Sequence, residues 1–216
     1  MKITKVTLQT SKLEEMVYFY HHSLQMSLME RTTHSFAVSA GRTILAFEQT
    51  EEKPFYHFAL GVAEAAFDRY AARIKEVAPI LTSKEGEEIM RSYMWKGRQL
   101  YFEDPEKNIL EILSFPSETG KEWLGVQEVG IPVPDIAQFA SGLSPLETEF
   151  SAESDSFCFY GDQEGVFVLV KEKRPWYPTD RAASINPISI ELAHPSGFVS
   201  DFAKQNLPYH VVSVSK

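Results

Sequence analysis

Two residues that can do chemistry stand in otherwise apolar, strand-like stretches of this chain. His57 opens the run HFALGV at positions 57–62, and Glu111 lies within the run ILEIL at positions 109–113. A neutral imidazole and a carboxylate are good ligands for zinc, iron, manganese or nickel, and a carboxylate can also accept a proton. A histidine in a strand is nevertheless more often a hydrogen-bonded structural residue. The elements that position these two residues therefore decide what they do.

A turn signal precedes Glu111. Asp104 and Pro105 start a turn, and Asn108 tolerates the left-handed conformation that closes it. Strand-like runs flank the turn at positions 98–103 and 108–113, so Glu111 is expected on the second strand of a hairpin.

The composition is that of an ordinary globular protein with an acidic balance. The 216 residues are 44% hydrophobic and 24% charged, with a formal net charge of −9. Nucleic acids and anionic membranes bind concentrated basic surfaces, so neither is the expected partner, and a small molecule is. The single cysteine, Cys158, excludes an internal disulfide, and the amino terminus does not resemble a signal peptide. These features predict a cytoplasmic protein.

The order of predicted elements recurs along the chain. Strand-like runs near residues 5, 57, 128 and 187 each lead a round of one helix and further strands. This predicts an α+β protein of tandem βαβββ modules. The polar segment 114–121 is the expected linker. The fourth round is short, with a helix bearing Val199 and Phe202 and one strand at 210–214, which leaves a sheet edge open or covered by a second copy of the chain.

The module order of essentially the whole chain resembles the vicinal-oxygen-chelate superfamily, which includes glyoxalases, bleomycin-resistance proteins and extradiol dioxygenases, and the resemblance is specific in residues 55–113. The run FEDPEKNILEI at 102–112 is similar to the closing hairpin of a module in that family, and the run at 57–62 is similar to its opening strand. The resemblance implies that modules pair and that their curled mixed sheets surround a cavity. Residues 1–115 are then the first pair of modules, and residues 122–216 a degenerate and shortened second pair.

The resemblance also implies a divalent metal, held by residues of the first and last strands. His57 and Glu111 match these ligand positions, and Glu111 is the candidate catalytic carboxylate. Lys5 and Ala46 stand where the other ligands would be. Glu48 lies two residues beyond Ala46 on the same strand face and is the candidate third ligand.

The carboxyl-terminal half departs further from the family pattern. Glu128 stands at the lead-strand position of the third module, while Val168 and Pro187 occupy other ligand positions. This half is therefore expected to be a structural copy that holds no metal.

Lys5 and Tyr101 are the candidate substrate-binding residues. A cavity-facing Lys5 would form a buried ion pair with Glu111 in place of the metal, because a buried carboxylate requires a cation. The alternative is a lysine that reaches solvent from an edge strand. Tyr101 belongs to a strand expected to line the cavity, although an aromatic residue on a strand more often serves packing.

Three functions remain open at this point. The resemblance implies a glyoxalase- or dioxygenase-like protein that binds a small molecule through a divalent metal (zinc, iron, manganese or nickel), acting as a lyase or dioxygenase. The metal would then act as a Lewis acid on adjacent oxygens. The alternative is a metal-free protein that binds or sequesters a small molecule with a Lys5–Glu111 ion pair. The third is a structural or regulatory protein that forms a homodimer through its last module.

Overall fold

The protein is an α+β structure in which short helices pack on two curled mixed sheets, as the sequence predicted. The computed structural model describes residues 1–116, 122–146, 148, 152–195 and 197–214. The strands of the first two modules are β1 Lys2–Thr10, β2 Ser27–Arg31, β3 Ser35–Ala40, β4 Thr43–Gln49, β5 His57–Ala63, β6 Ile80–Leu81, β7 Ile89–Arg91, β8 Arg98–Glu103 and β9 Ile109–Phe115. Those of the last two are β10 Trp123–Val133, β11 Ala152–Ser154, β12 Phe157–Asp162, β13 Gly165–Lys171, β14 Ile188–Ala193, β15 Phe198–Asp201 and β16 Tyr209–Val214.

The helices are short. They are α1 Leu13–Val17, which continues as a π-helical turn Tyr18–Ser23, α2 Phe67–Val77 after a 3₁₀ turn Glu64–Ala66, and α3 Ile136–Ser141, with a further 3₁₀ turn at Phe202–Gln205. Of the helices in the described ranges, none combines the length and the apolar character needed to cross a bilayer.

The sheets pair the modules in a nested order. One sheet has the strand order β15-β16-β14-β1-β4-β3-β2, and the other has the order β11-β12-β13-β10-β5-β9-β8-β6, with β7 also paired to β8. The antiparallel contact of β1 with β14 joins the first module to the fourth, and that of β5 with β10 joins the second to the third. The division into domains of residues 1–115 and 122–216 stays a prediction, and residues 117–121 of its linker lie outside the described part.

The fourth module differs from the prediction in one element. Phe198 pairs with Ser213 and Val199 with Val212, so the segment expected to begin a helix is the strand β15. Val199 is 66% exposed, whereas Phe202 is buried in the short helical turn that follows. The two apolar residues therefore do not share one buried helical face, and the predicted helix at Val199 is wrong.

Apolar side chains occupy both faces of the nine-stranded sheet. Phe58 and Leu110 point into a large core that continues without a break into the seven-stranded sheet and the helices. Ile109 and Val168 point to the opposite face, where a second cluster includes Trp176. Because side chains alternate along a strand, His57 and Glu111 lie on this second face.

The start of α1 is stabilised by a carboxylate from a distant turn. Lys12 is the N-cap residue, and no side chain of its own element caps the helix. The buried Glu106 instead accepts hydrogen bonds from Thr10 Oγ1 (2.5 Å), Ser11 N (2.8 Å), Ser11 Oγ (2.7 Å) and Lys12 N (3.1 Å). A negative charge at this position also stabilises the helix through its interaction with the helix dipole.

The β8–β9 turn fixes the position of β5. Lys107, and not Asn108, takes the left-handed conformation, with φ 73°. Asn108 is instead used for bridging, because its Nδ2 donates to Asp104 (2.8 Å) and its Oδ1 accepts from Tyr56 N (2.8 Å). The second bond sets β5 beside β9 one residue before His57.

Candidate metal and ligand site

Strand register brings three acidic or basic side chains to one place. Ala59 on β5 pairs with Glu111 on one side and with Glu128 of β10 on the other. His57 precedes Ala59 by two residues and therefore shares its face of the sheet. A β-bulge between Val126 and Glu128 changes the register of β10 at this point, and bulges commonly re-aim side chains beside functional sites. The small side chain of Ala59 leaves the space between the carboxylates open.

His57, Glu111 and Glu128 form a group that could hold a metal ion. All three residues are buried, and one ligand atom of each lies within 4.8 Å of the others. Two of the three were predicted as ligands. Glu128 comes from the half of the chain that was expected to hold no metal, and that expectation does not fit the position of its carboxylate.

His57 is held as a neutral imidazole. Its Nδ1 lies 3.0 Å from the carbonyl oxygen of Ile109, which accepts a hydrogen bond, and Nε2 is thereby left with its lone pair. Burial lowers the pKa of His57 to about 4, and the bond to Ile109 only partly opposes this effect. A neutral histidine fixed by a bond from its other nitrogen is the form that binds metals.

The two carboxylates repel each other in a buried setting. Burial raises the pKa of Glu111 well above its ordinary value, the nearby Glu128 raises it further, and the Tyr101 hydroxyl opposes this effect. Burial likewise raises the pKa of Glu128 to about 7, against the stabilising hydrogen bond from Trp95 Nε1. Glu111 Oε2 is buried and accepts no hydrogen bond. Such a pair is stable only with a shared proton or a bound cation.

A cavity of about 420 Å³ opens beside the carboxylates. Glu111, Glu128 and Tyr101 line its base, with Gln99 close by. Gln99 Nε2 donates to the Tyr101 hydroxyl at 3.4 Å, and burial, followed by the charges of Glu111 and Glu128, raises the pKa of Tyr101 well above its ordinary value. Tyr101 is therefore a neutral phenol that lines the cavity.

The connection between the third and fourth modules covers the histidine. The Trp176 ring lies 4.6 Å from the His57 ring, and the Tyr177 ring meets that of Tyr101 edge to face at 5.6 Å. Trp176 is buried, although it belongs to a connection between modules, and the aromatic pair between two prolines at 175–178 was the sequence signal for a covering role.

Two predicted site residues lie elsewhere. Lys5 is in the seven-stranded sheet, where its Nζ lies 3.7 Å from Glu191, whereas Glu111 is in the nine-stranded sheet. The predicted ion pair of Lys5 with Glu111 is therefore wrong. Glu48 is exposed on β4 of the same seven-stranded sheet and is not part of the His57 group. Both errors follow from the nested pairing, because the first module does not share a sheet with the second.

We expect the imidazole of His57 to stay neutral in metal-free protein down to about pH 4. An imidazole in an unfolded chain takes up a proton near pH 6.5. The stability that His57 contributes is therefore present above about pH 6.5 and decreases as the pH falls toward 4. Nitrogen chemical shifts of labelled histidine measure this directly, and a midpoint near 6.5 would contradict the buried neutral form.

Solved structures match this chain, whereas no family model and no curated protein does. A protein of Bacillus subtilis subsp. subtilis str. 168, named a putative dioxygenase, matches over 99% of this chain and 85% of its own, with a TM-score of 0.67 and 14% identity. A lactoylglutathione lyase from Agrobacterium tumefaciens matches 52% of this chain and 92% of its own (TM-score 0.44, 17% identity). A fosfomycin resistance protein from Listeria monocytogenes matches 55% and 96% (TM-score 0.44, 15% identity). At these identities the likeness concerns the fold alone, and the first match carries it: the chain has the vicinal-oxygen-chelate fold.

Proposed function

We propose that this protein is a metal-dependent enzyme that binds a small molecule with adjacent oxygens beside His57, Glu111 and Glu128. The observation that carries the proposal is the convergence of three buried donors within 4.8 Å at the base of a cavity. The fold is consistent with this use, since the matched structures include one named as a dioxygenase and one named as a lyase.

The donor set fits a divalent cation. Glu111 Oε2 is a buried acceptor without a hydrogen-bond partner, and His57 Nε2 carries a free lone pair because Nδ1 donates to Ile109. One imidazole and two carboxylates suit manganese, iron, zinc or nickel. Three protein ligands also leave coordination positions open for a substrate.

The protein supplies positioning, proton transfer and exclusion of water. A bound divalent cation would act as a Lewis acid on adjacent oxygens of a substrate. Trp95 holds the Glu128 carboxylate by its Nε1–H, and Tyr101 presents a neutral hydroxyl next to Glu111. Glu111 is the candidate catalytic carboxylate, since it lines the cavity and lies beside the Tyr101 hydroxyl. Trp176 excludes water from His57.

Metal binding tests the proposal directly. Protein loaded with Mn²⁺ and freed of excess ion by gel filtration should retain about one ion per chain, measured by plasma mass spectrometry. His57→Asn keeps an amide that can donate to Ile109 but removes the Nε2 ligand, so it should lose the ion. His34→Asn, at an exposed position, is the matched control. Wild-type protein that retains no Mn²⁺, Fe²⁺, Zn²⁺ or Ni²⁺ would overturn the proposal.

The second candidate function is a metal-free binding protein. One observation favours it, because Glu111 and Glu128 can share a proton and so remain buried without a cation. Thermal stabilisation by a catechol in chelator-treated protein would support this function, and stabilisation only after metal loading would support the enzyme. A homodimer stays a prediction, which analytical ultracentrifugation checks.

A further inference from the structure

The mouth of the cavity carries two carboxylates. Glu85 and Glu87 line it, on a turn between β6 and β7. The buried Ser83 holds this turn, because its hydroxyl accepts hydrogen bonds from Glu85 N (3.1 Å) and Glu87 N (3.2 Å) and its own amide donates to the Glu87 carbonyl (2.9 Å). Gly86 completes the turn with a positive φ of 85°. The backbone of the turn therefore has a defined place at the entrance, and its two acidic side chains are exposed there.

Within the described part of the chain, these carboxylates lack an ion-pair partner. Across the described parts of the chain, neither Glu85 nor Glu87 forms an ion pair. Arg91 is the one cationic residue of the described wall, and no ion pair among the described residues includes it. The lining of the entrance therefore has an excess of negative charge, while Lys96 lies beyond it over the Tyr93 ring. The net charge of −9 on the chain adds to this potential.

Aromatic rings connect the entrance to the base. Tyr177 lies at the entrance, where burial and then the charges of Glu85 and Glu87 raise its pKa. Its ring contacts that of Tyr101, which borders Glu111 at the base. Phenol rings attract cations through their faces and pack against flat organic rings.

The base of the cavity has a buried carboxylate oxygen that a ligand could contact. Glu111 is 2% exposed, lines the cavity and keeps Oε2 without a hydrogen-bond partner. A ligand that reaches the base must bring a positive or hydrogen-bonding group, or oxygens for a cation held there. The two ends of the cavity therefore favour different chemical groups on a ligand.

We propose that the cavity binds a positively charged aromatic molecule, with adjacent ring oxygens at Glu111 and Glu128 and a protonated amine at Glu85 and Glu87. The oxygen end rests on the proposed function, whereas the preference for a cation rests on the entrance. Aromatic acids of the same shape are disfavoured, because their carboxylate would face the two glutamates.

Three catechols of similar shape test the charge preference. Dopamine carries an ammonium group, 3-(3,4-dihydroxyphenyl)propionate carries a carboxylate, and 4-methylcatechol is neutral. Calorimetric titration of the Zn²⁺-loaded protein at low salt should give dopamine an affinity at least about tenfold above that of the propionate, with the neutral catechol between them. The difference should shrink in about 0.5 M NaCl, because charges at the entrance are screened.

The variant Glu85→Gln/Glu87→Gln should reduce the preference to within about threefold while 4-methylcatechol binds unchanged. Glu76→Gln, an exposed carboxylate on α2, is the matched control and should keep the preference. Equal affinity of wild-type protein for dopamine and the propionate would overturn the charge inference and leave the proposed function standing. Failure of all three catechols to bind metal-loaded protein would overturn the whole inference, whereas metal retention decides the proposed function separately. The wild-type comparison decides even where the double variant fails to fold.

Discussion

Replacement of Glu128 by glutamine should lower the affinity for Mn²⁺ by at least about 100-fold, because the site loses one of two charged ligands. Glutamine keeps the size of the side chain and can still accept the hydrogen bond from Trp95. The folded structure should therefore persist. Calorimetric titration or electron paramagnetic resonance of Mn²⁺ measures the loss.

Glu48→Gln is the matched control for this variant. The sequence placed Glu48 among the ligands, whereas the structure places it in the other sheet, so its replacement should leave affinity within about twofold. Loss of binding in Glu48→Gln with retention in Glu128→Gln would contradict the site. Affinity of the wild-type protein should also fall as the pH drops below about 7, because Glu128 then holds a proton that the metal must displace.

Replacement of Glu106 by alanine should destabilise the protein by about 3–5 kcal/mol. The carboxylate accepts bonds from two backbone amides and two hydroxyl groups at the start of α1, and alanine removes all four bonds, although the Lys12 amide keeps its bond to Thr10 Oγ1. The charge is also lost from the helix N-terminus. Chemical denaturation followed by circular dichroism gives the free energy of unfolding.

Glu106→Gln and Glu52→Ala complete this experiment. Glutamine keeps one acceptor oxygen, so its effect should fall between those of wild type and alanine. Glu52 is exposed, and its replacement should change stability by less than about 0.5 kcal/mol. An alanine variant at position 106 as stable as Glu52→Ala would show that solvent satisfies the donors of α1.

The module order and two of the three residues of the candidate site followed from sequence pattern, because both depend on local spacing. Short stretches of sequence encode the strands and the Asp104–Asn108 turn. His57 and Glu111 lie on strands of one module. Glu128 was recognised at a lead-strand position, yet its role required knowledge of which module lies beside the second. The sequence of neighbouring strands does not show which module pairs with the second.

The errors have the same physical origin. Lys5 and Glu48 were assigned to the site because the first module was expected to face the second. Pairing of β1 with β14 and of β5 with β10 is a long-range choice, set by the summed burial of whole sheets rather than by any short run of residues. Trp176 was missed for a related reason, since its connection covers the site only when the third module is in place.

The nested pairing also sets the order in which the two sheets can form while the chain is synthesised on the ribosome. Every strand of the nine-stranded sheet has been translated once residue 171 has emerged, so the candidate metal ligands can come together while the last module is still being made. β1, the first strand of the chain, has no partner on its β14 side until residues 188–193 arrive. A nascent chain would therefore carry one finished sheet and one unpaired edge, and that edge is where co-translational aggregation or chaperone binding is expected to concentrate.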